Sequence, residues 1–161
     1  QLGEPCAAPV LRDVHAENLI WLPERQGPRR LGLLDFQDAV AGHPAYDLAS
    51  LVADARRDVS AASARAAVTA FAAASGRDRD EIATAMAVLG TQRNLRILGI
   101  FARLASAGKP RYVDLMPRVW RHIDRDLAHP ALAEVRAAAR AALPPPDPAR
   151  RERLRRACPT P

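Results

Sequence analysis

The fold of this chain is decided by two short stretches: LRDVHAEN at residues 11–18 and LLDFQD at residues 33–38. Each stretch belongs to a short apolar run that ends in a carboxylate, Asp13 in the first and Asp35 in the second. Short apolar runs bounded by turn residues are typical of β-strands. The simplest arrangement is a small β-ribbon that places Asp13 and Asp35 at neighbouring strand ends.

Outward from these stretches, the sequence predicts one more strand and a series of helices. Residues 19–22 form the strand, which Pro23 closes, and residues 24–30 form a turn. From Pro44 onward, apolar residues recur at helical spacing. The expected helices are the segment that Pro44 opens and the ranges 61–74, 80–107, 112–127 and 131–143. The predicted fold class is therefore α+β and mainly α-helical.

Length and composition describe one globular domain or a piece of a larger protein. The chain has 161 residues, of which 48% are hydrophobic, so it can bury a core. No stretch approaches the roughly 18 uninterrupted apolar residues of a membrane helix. Cys6 and Cys158 make no disulfide framework, which favours a reducing, cytoplasmic compartment. Because the chain opens on Gln1 rather than Met, we expect it to derive from a longer polypeptide.

The basic residues are almost all arginine. Lys and Arg number 24 against 18 Asp and Glu, giving a formal charge of +6, yet Lys109 is the single lysine of the sequence. The 8 glycines are scattered and form neither G-x-G-x-x-G nor a P-loop. The chain therefore lacks the usual phosphate-cradling loops, and Lys109 alone could serve as a phosphate-binding lysine.

The two acidic stretches hold the groups that phosphoryl transfer from a nucleotide needs. One carboxylate must accept the proton of the attacking hydroxyl, and an amide with a second carboxylate must hold Mg²⁺ against the phosphates. Asp13 and Asn18 form a D-x-x-x-x-N pattern, whose spacing lets the chain turn back so that both face one cavity. Asp35 ends an apolar strand and precedes Phe36. For Asp13 and Asn18, an ordinary turn is the alternative, because both residue types favour turns.

The same residues carry a resemblance to a known family. Residues 11–18 and 34–38, with GHPAYDLA at residues 42–49, resemble the C-terminal lobe of the aminoglycoside-phosphotransferase-like kinases. The segment TQRNLRILGIF at residues 91–101 is similar, more narrowly, to the anomeric sugar kinases that phosphorylate N-acetylmuramate and N-acetylglucosamine during peptidoglycan recycling. The resemblance extends to about Leu143 and covers the second half of such an enzyme.

The resemblance implies a role for each matching residue. Asp13 would be the catalytic base, and Asn18 and Asp35 would bind Mg²⁺. Asp47 would be the carboxylate that braces the catalytic loop, and His15 would give structural support to that loop. The implied activity is that of a phosphotransferase with ATP as co-substrate and a sugar hydroxyl as acceptor.

The chain departs from the family pattern in two ways. Leu11 stands where most members have a histidine two residues before the catalytic aspartate. That histidine mainly supports the loop, so an apolar residue there should affect the geometry of the loop and not the chemical step. The larger departure is that the nucleotide-covering loop and the phosphate-binding lysine belong to an N-terminal lobe absent from this chain. That lobe of the same polypeptide is the implied partner, and we expect the 161 residues alone to be inactive.

On this basis the chain has three segments. Residues 1–43 form the β segment with the catalytic and metal loops, residues 44–143 the helical subdomain of the same lobe, and residues 144–161 a Pro/Arg-rich tail. The basic run at residues 150–156 could bind nucleic acid or an anionic surface, but no aromatic residue interleaves it. We therefore expect a mobile, solubilising tail, and neither a nucleic-acid nor a membrane partner.

Three further polar residues are each open to more than one interpretation. Arg93 and Asn94 interrupt a long apolar helix, either as part of a solvated face or as contacts to the sugar. An arginine would suit a lactyl carboxylate on the substrate. Asp38 is a candidate for the substrate site, with a supporting carboxylate or a plain helix N-cap as alternatives.

Other functions remain as rivals. An aminoglycoside kinase would need a carboxylate-rich pocket for its polycationic substrate, whereas the helical half is rich in arginine, with Asp114, Asp124 and Asp126 as its main acidic cluster. A non-enzymatic basic helical module would require both acidic motifs to be accidental. A zinc deaminase is excluded, because the H-x-E at residues 15–17 has no P-C-x-x-C to complete the metal site.

Overall fold

The computed structural model describes residues 8–158, which are mainly α-helical with two small sheets. In that range the four strands are β1 (Ala8–Val10), β2 (Leu19–Trp21), β3 (Leu31–Leu33) and β4 (Val40–Gly42). The six α-helices of the same range are α1 (Ala45–Val52), α2 (Ala61–Ser75), α3 (Arg79–Ser106), α4 (Met116–Leu127), α5 (Ala133–Ala142) and α6 (Pro148–Arg156). The predicted α+β, mainly helical class is confirmed. None of these helices is both long and apolar enough to cross a lipid bilayer.

The strands pair differently from the predicted single ribbon. β2 and β3 form an antiparallel hairpin, but β1 pairs antiparallel with β4, where Val10 lies opposite Val40. A Cβ added to Gly42 would lie 3.1 Å from Cγ2 of Val10, so a larger residue there would require the Val10 side chain to shift slightly. The single-ribbon prediction is wrong because the small residues of β4 give no strand signal in the sequence.

Local capping residues set the ends of the helices around α2. The hydroxyl of Ser60 accepts a hydrogen bond from the backbone N–H of Ser63 at 3.0 Å, as an N-cap does. Gly76 ends α2 with a φ of 66°, which glycine adopts without strain. The Asp78 carboxylate then accepts the N–H groups of Asp80 and Glu81 and starts α3.

The chain divides into two compact units within α3, between Met86 and Ala87. In the first unit, Leu48 and Val52 of α1 bury their side chains against Ile82 of α3, and apolar residues of α2 pack onto this cluster. Such a cluster anchors α1, and α1 in turn carries the polar side chains described below.

The second unit has its own buried face. The residues of α4 that are fully or almost fully buried are Met116, Val119, Ile123 and Leu127. Their spacing of three and four residues places them on one side of the helix. The ring of Phe101 packs against that of Tyr112, with 5.2 Å between centroids.

The basic segment near the C-terminus is a helix, so the expectation of a mobile tail at residues 150–156 is wrong. The Asp147 carboxylate caps α6 by accepting the Arg150 N–H at 2.7 Å, and Pro148 occupies the first helical turn. Arg155 forms an ion pair with Asp114 on the preceding part of the same unit. Capping and ion pairing order a sequence whose charge alone suggested a solvated tail.

Candidate active site

A carboxylate on α1 fixes the start of the loop at residues 11–18. Asp47 accepts hydrogen bonds from the backbone N–H of Leu11 to Oδ2, at 2.7 Å, and of Arg12 to Oδ1, at 2.9 Å. Arg12 has a φ of 74°, a conformation that costs a non-glycine residue about 1–3 kcal/mol. The two hydrogen bonds to Asp47 hold this turn, and the side chain of Asp13 after it is exposed.

Two more polar side chains that follow Asp47 hold the middle of the loop. The Ser50 hydroxyl donates to the carbonyl oxygen of Val14 at 2.8 Å, and Asp54 accepts the N–H of Ala16 at 3.0 Å. Ser50 is fully buried and Asp54 is 2% exposed. The sequence motifs predict neither Ser50 nor Asp54. Ser50 lies three residues after Asp47 on the apolar helix α1, a spacing that was a usable signal, whereas Asp54 lies beyond the end of that helix.

Asn18 connects this loop to the one that carries Asp35. Its Nδ2 donates to the carbonyl oxygen of Asp13 at 2.9 Å and lies 3.3 Å from Nε2 of His15. Its own backbone carbonyl accepts the N–H of Leu34 at 2.9 Å, one residue before Asp35. Because Nδ2 is directed at the first loop, the amide oxygen Oδ1 is left as the acceptor of this side chain.

The second loop, residues 34–39, is exposed at every position. Asp35 has a φ of 56°, in the left-handed region that aspartate tolerates better than most residues, and its Oδ1 accepts a hydrogen bond from Gln37. Asp38 lies in the turn that precedes β4, so its interpretation as a helix N-cap is wrong. The loop thus presents two carboxylates on the surface.

His15 belongs to the first loop, and its side chain is half-buried. Burial lowers its pKa, and the nearby charge of Arg56 lowers it further, against the raising effect of Asp54, Glu17 and Asp13. Its Nδ1 is buried and has no hydrogen-bond partner within residues 8–158. The imidazole is therefore neutral at neutral pH, when it packs against Asn18 and the loop.

Arg93 and Asn94 lie on α3 in the second compact unit. They are 8% and 0% exposed, so a solvated face is wrong for both, whereas Gln92 and Arg96 beside them are exposed. Both amide atoms of Asn94 lack a hydrogen-bond partner in the part of the chain that the structure describes. A buried amide of this kind normally binds a water or a ligand.

Asn18 and Asp35 carry oxygen atoms of the kind that Mg²⁺ binds in proteins. No group of three or more His, Cys, Asp or Glu side chains within residues 8–158 is arranged to hold a metal ion. Mg²⁺, however, usually takes only one or two protein carboxylates and completes its shell with phosphate oxygens and waters. The amide oxygen of Asn18 and the carboxylate of Asp35 are donors of the kind this ion prefers, on neighbouring segments.

Part of the chain matches the model of a known family. Residues 7–84, which include both loops and α1, match the model of the phosphotransferase enzyme family, APH. The resemblance to phosphotransferases stated from the sequence is thereby confirmed over residues 7–84. The match includes Asp13, Asn18, Asp35 and Asp47, and it ends within α3.

Three relatives share a name. The N-acetylmuramate/N-acetylglucosamine kinase of Caulobacter vibrioides is 53% identical over 128 residues, covering 78% of this chain and 35% of that protein. The kinases of the same name from Pseudomonas aeruginosa and Pseudomonas putida are 35% and 34% identical, over 65% and 78% of this chain and 33% and 38% of their own lengths. The chain thus spans about a third of the relatives it matches.

Proposed function

We propose that this chain is the C-terminal lobe of an ATP-dependent sugar kinase that phosphorylates the anomeric hydroxyl of N-acetylmuramate or N-acetylglucosamine. The observation that carries the proposal is the junction made by Asn18, which bonds to Asp13 with its amide and to the segment of Asp35 with its backbone. The names of the three relatives support the choice of amino sugar.

Asp13 acts as the general base in this proposal. Its carboxylate is exposed and makes no hydrogen bond or ion pair to the described residues, so it is available to a substrate hydroxyl. Asp13 accepts the proton while the sugar oxygen bonds to the γ-phosphorus and the bond from that phosphorus to the leaving oxygen of ADP breaks. Positioned proton transfer of this kind contributes about 10²–10⁴-fold to rate.

Asn18 and Asp35 are the proposed Mg²⁺ ligands. When bound, the ion would neutralise the charge on the β- and γ-phosphates and on the transferring group. The bond from Asn18 Nδ2 to Asp13 supports this role, because it fixes the amide with its oxygen available. Asp47, His15, Ser50 and Asp54 position the loop and touch no substrate.

The phosphate-binding lysine and the nucleotide-covering loop come, in this proposal, from sequence outside these 161 residues. The single lysine, the absence of a glycine-rich phosphate loop and the one-third coverage of the relatives support that view. The chain alone is then inactive. A chimera in which it replaces its matching segment of the Caulobacter vibrioides kinase should be active.

The decisive experiment compares this chimera with its Asp13→Asn variant. With ATP and Mg²⁺, N-acetylmuramate, N-acetylglucosamine and kanamycin are offered in turn, and ADP release is measured. We expect turnover of the amino sugars and a fall in kcat of about 10²–10⁴-fold in Asp13→Asn, while Glu24→Gln, in the exposed turn after β2, stays unchanged. Preference for kanamycin would favour an aminoglycoside kinase, and salt-sensitive DNA binding without turnover would favour the basic module.

Arg93 and Asn94, with Asp38, are proposed contacts to the sugar. The unpartnered amide of buried Asn94 supports a polar ligand there, and the guanidinium of Arg93 suits the lactyl carboxylate that N-acetylmuramate has and N-acetylglucosamine lacks. In the chimera, Arg93→Ala should raise the KM for N-acetylmuramate by about tenfold or more and change that for N-acetylglucosamine little. The exposed Arg96→Ala is the matched control, and equal effects on both sugars would contradict the assignment.

A further inference from the structure

The second compact unit contains a cavity that the proposed phosphotransferase chemistry does not use. It has a volume of about 600 Å³, within the range of roughly 300–1,000 Å³ that small-molecule sites occupy. Its walls are one face of α3, one face of α6 and part of the segment at residues 143–146, with Met116 of α4. None of its lining residues belongs to the loops described above.

The face of α3 that lines the cavity is apolar and leaves open space beside it. Leu95, Leu98, Gly99 and Ala102 line it at helical spacing, so they form one continuous stripe. A Cβ added to Gly99 would meet no atom within 4 Å. The space beside Gly99 is therefore open at the position of a Cβ.

The α6 wall adds charge at the side of this apolar space. Arg150, Arg153 and Leu154 line the cavity. The guanidinium of Arg150 is bound by the Asp147 carboxylate and by the carbonyl oxygen of Pro145, so its charge is balanced. The side chain of Arg153 is exposed and makes no ion pair or hydrogen bond of its own within residues 8–158. Its charge acts, with that of Arg150, on the single carboxylate of Asp147, so that two guanidinium groups face one carboxylate and a net positive charge remains at the cavity.

We propose that this cavity binds a small amphiphile with an apolar chain and a single carboxylate. The apolar chain of the ligand would lie between the stripe on α3 and Leu154, where the burial of each CH₂ favours binding. The carboxylate would pair with Arg153, whose planar guanidinium matches it with two hydrogen bonds. The balanced charge of Arg150 is the reason that the ligand carries one negative charge and not two.

The test titrates the 161-residue chain with decanoate, decanol and decylamine, which share a chain length and differ in head group, and measures binding by calorimetry. Decanoate should bind at least about tenfold more tightly than decanol, and decylamine should bind most weakly. Arg153→Gln should remove the preference for decanoate over decanol, and Ala102→Leu should weaken both by filling the cavity. Arg156→Gln on the same helix, outside the cavity and paired with Glu152, is the matched control.

Several outcomes would overturn the proposal. These are no binding of decanoate, equal affinity for decylamine, or decanoate affinity that Arg153→Gln leaves unchanged. A self-association of the chain that Ala102→Leu abolishes would show that a second copy covers the cavity instead. If Ala102→Leu does not fold, Gly99→Leu fills the same open volume, and the surface change Arg153→Gln is decisive by itself.

Discussion

The loop at residues 11–18 and the loop at residues 34–39 each carry a part of the candidate active site, and they are stabilised in different ways. The first loop is held by buried or half-buried side chains of α1 and of the residues just after it. These side chains accept hydrogen bonds from the backbone N–H groups of Leu11, Arg12 and Ala16 and donate one to the carbonyl oxygen of Val14. The second is exposed throughout, and a neighbouring glutamine is the side chain that bonds to Asp35.

The proposed function, with Asp13 as base and Asp35 as metal ligand, gives this difference a physical reason. A base must be placed accurately before the sugar arrives, so rigid support beneath Asp13 is useful. A metal loop can be ordered by the metal and nucleotide themselves, so weak intrinsic support at Asp35 costs little. We therefore expect changes beneath the first loop to reduce both stability and activity, and changes in the second to affect ligand binding alone.

The largest effect on stability should come from Asp47→Ala. It leaves the N–H groups of Leu11 and Arg12 without their acceptor and removes the support for the strained φ of Arg12. We expect a loss of about 2–4 kcal/mol in the free energy of unfolding, measured by urea denaturation of the chain. Asp47→Asn, which keeps one acceptor oxygen, should lose about half as much, and equal stability of all three proteins would contradict the role of Asp47.

The next largest effect on stability should come from Asp54→Ala, because this change removes the buried acceptor of the N–H groups of Ala16 and Arg56. The expected loss is about 1–3 kcal/mol, against about 1 kcal/mol for Ser50→Ala, which loses one neutral hydrogen bond. In the active chimera both variants should lower kcat more than they raise the KM for ATP. A change in KM alone would show that these residues do not position the base.

Asp35→Gly is predicted to separate binding from stability. Glycine relieves the positive φ at this position, so the free energy of unfolding should be unchanged within about 1 kcal/mol. In the chimera the same change should abolish Mg²⁺-dependent nucleotide binding, measured by calorimetry with and without the ion. A large loss of stability would mean that the second loop is as firmly built as the first.

The smallest effect concerns pH. The pKa of His15 is lowered by burial and then by Arg56, and that of His43 by burial and then by Arg77, so the unfolded chain binds more protons than the folded one just below pH 6.5. Stability should therefore fall as the pH drops from about 7.5 through 6.5. In the double variant His15→Gln/His43→Gln, the urea midpoint should vary less with pH over this range. An unchanged dependence of the midpoint on pH would contradict the burial of these two histidines as its cause.

Parts of this picture could be predicted from local sequence. The range 80–107 predicted for the long helix differs by one residue at each end from α3, because an apolar stripe and the following Gly108 define it. The D-x-x-x-x-N pattern and the strand before Asp35 identified both loops. These signals lie within a few residues of the feature that they predict.

Other parts depend on contacts between distant residues. β1 pairs with β4, about 30 residues later in the chain, and no local pattern reveals this pairing. The bonds from Ser50 and Asp54 reach a loop more than 30 residues earlier, as their sequence separations of 36 and 38 show. The arginines after Asp147 obscure its N-cap signal, so the sequence predicts a tail where the structure has α6.

The central claim is that α1 and the residues just after it fix the loop of residues 11–18 before any ligand is bound. Amide hydrogen exchange of the 161-residue chain tests it directly, by comparing Leu11, Arg12 and Ala16 with the amides of residues 36–38. The account predicts exchange at least about 100-fold slower at the first three, and loss of this protection at Leu11 and Arg12 in Asp47→Ala. Equal exchange in both loops of the unmodified chain would contradict it.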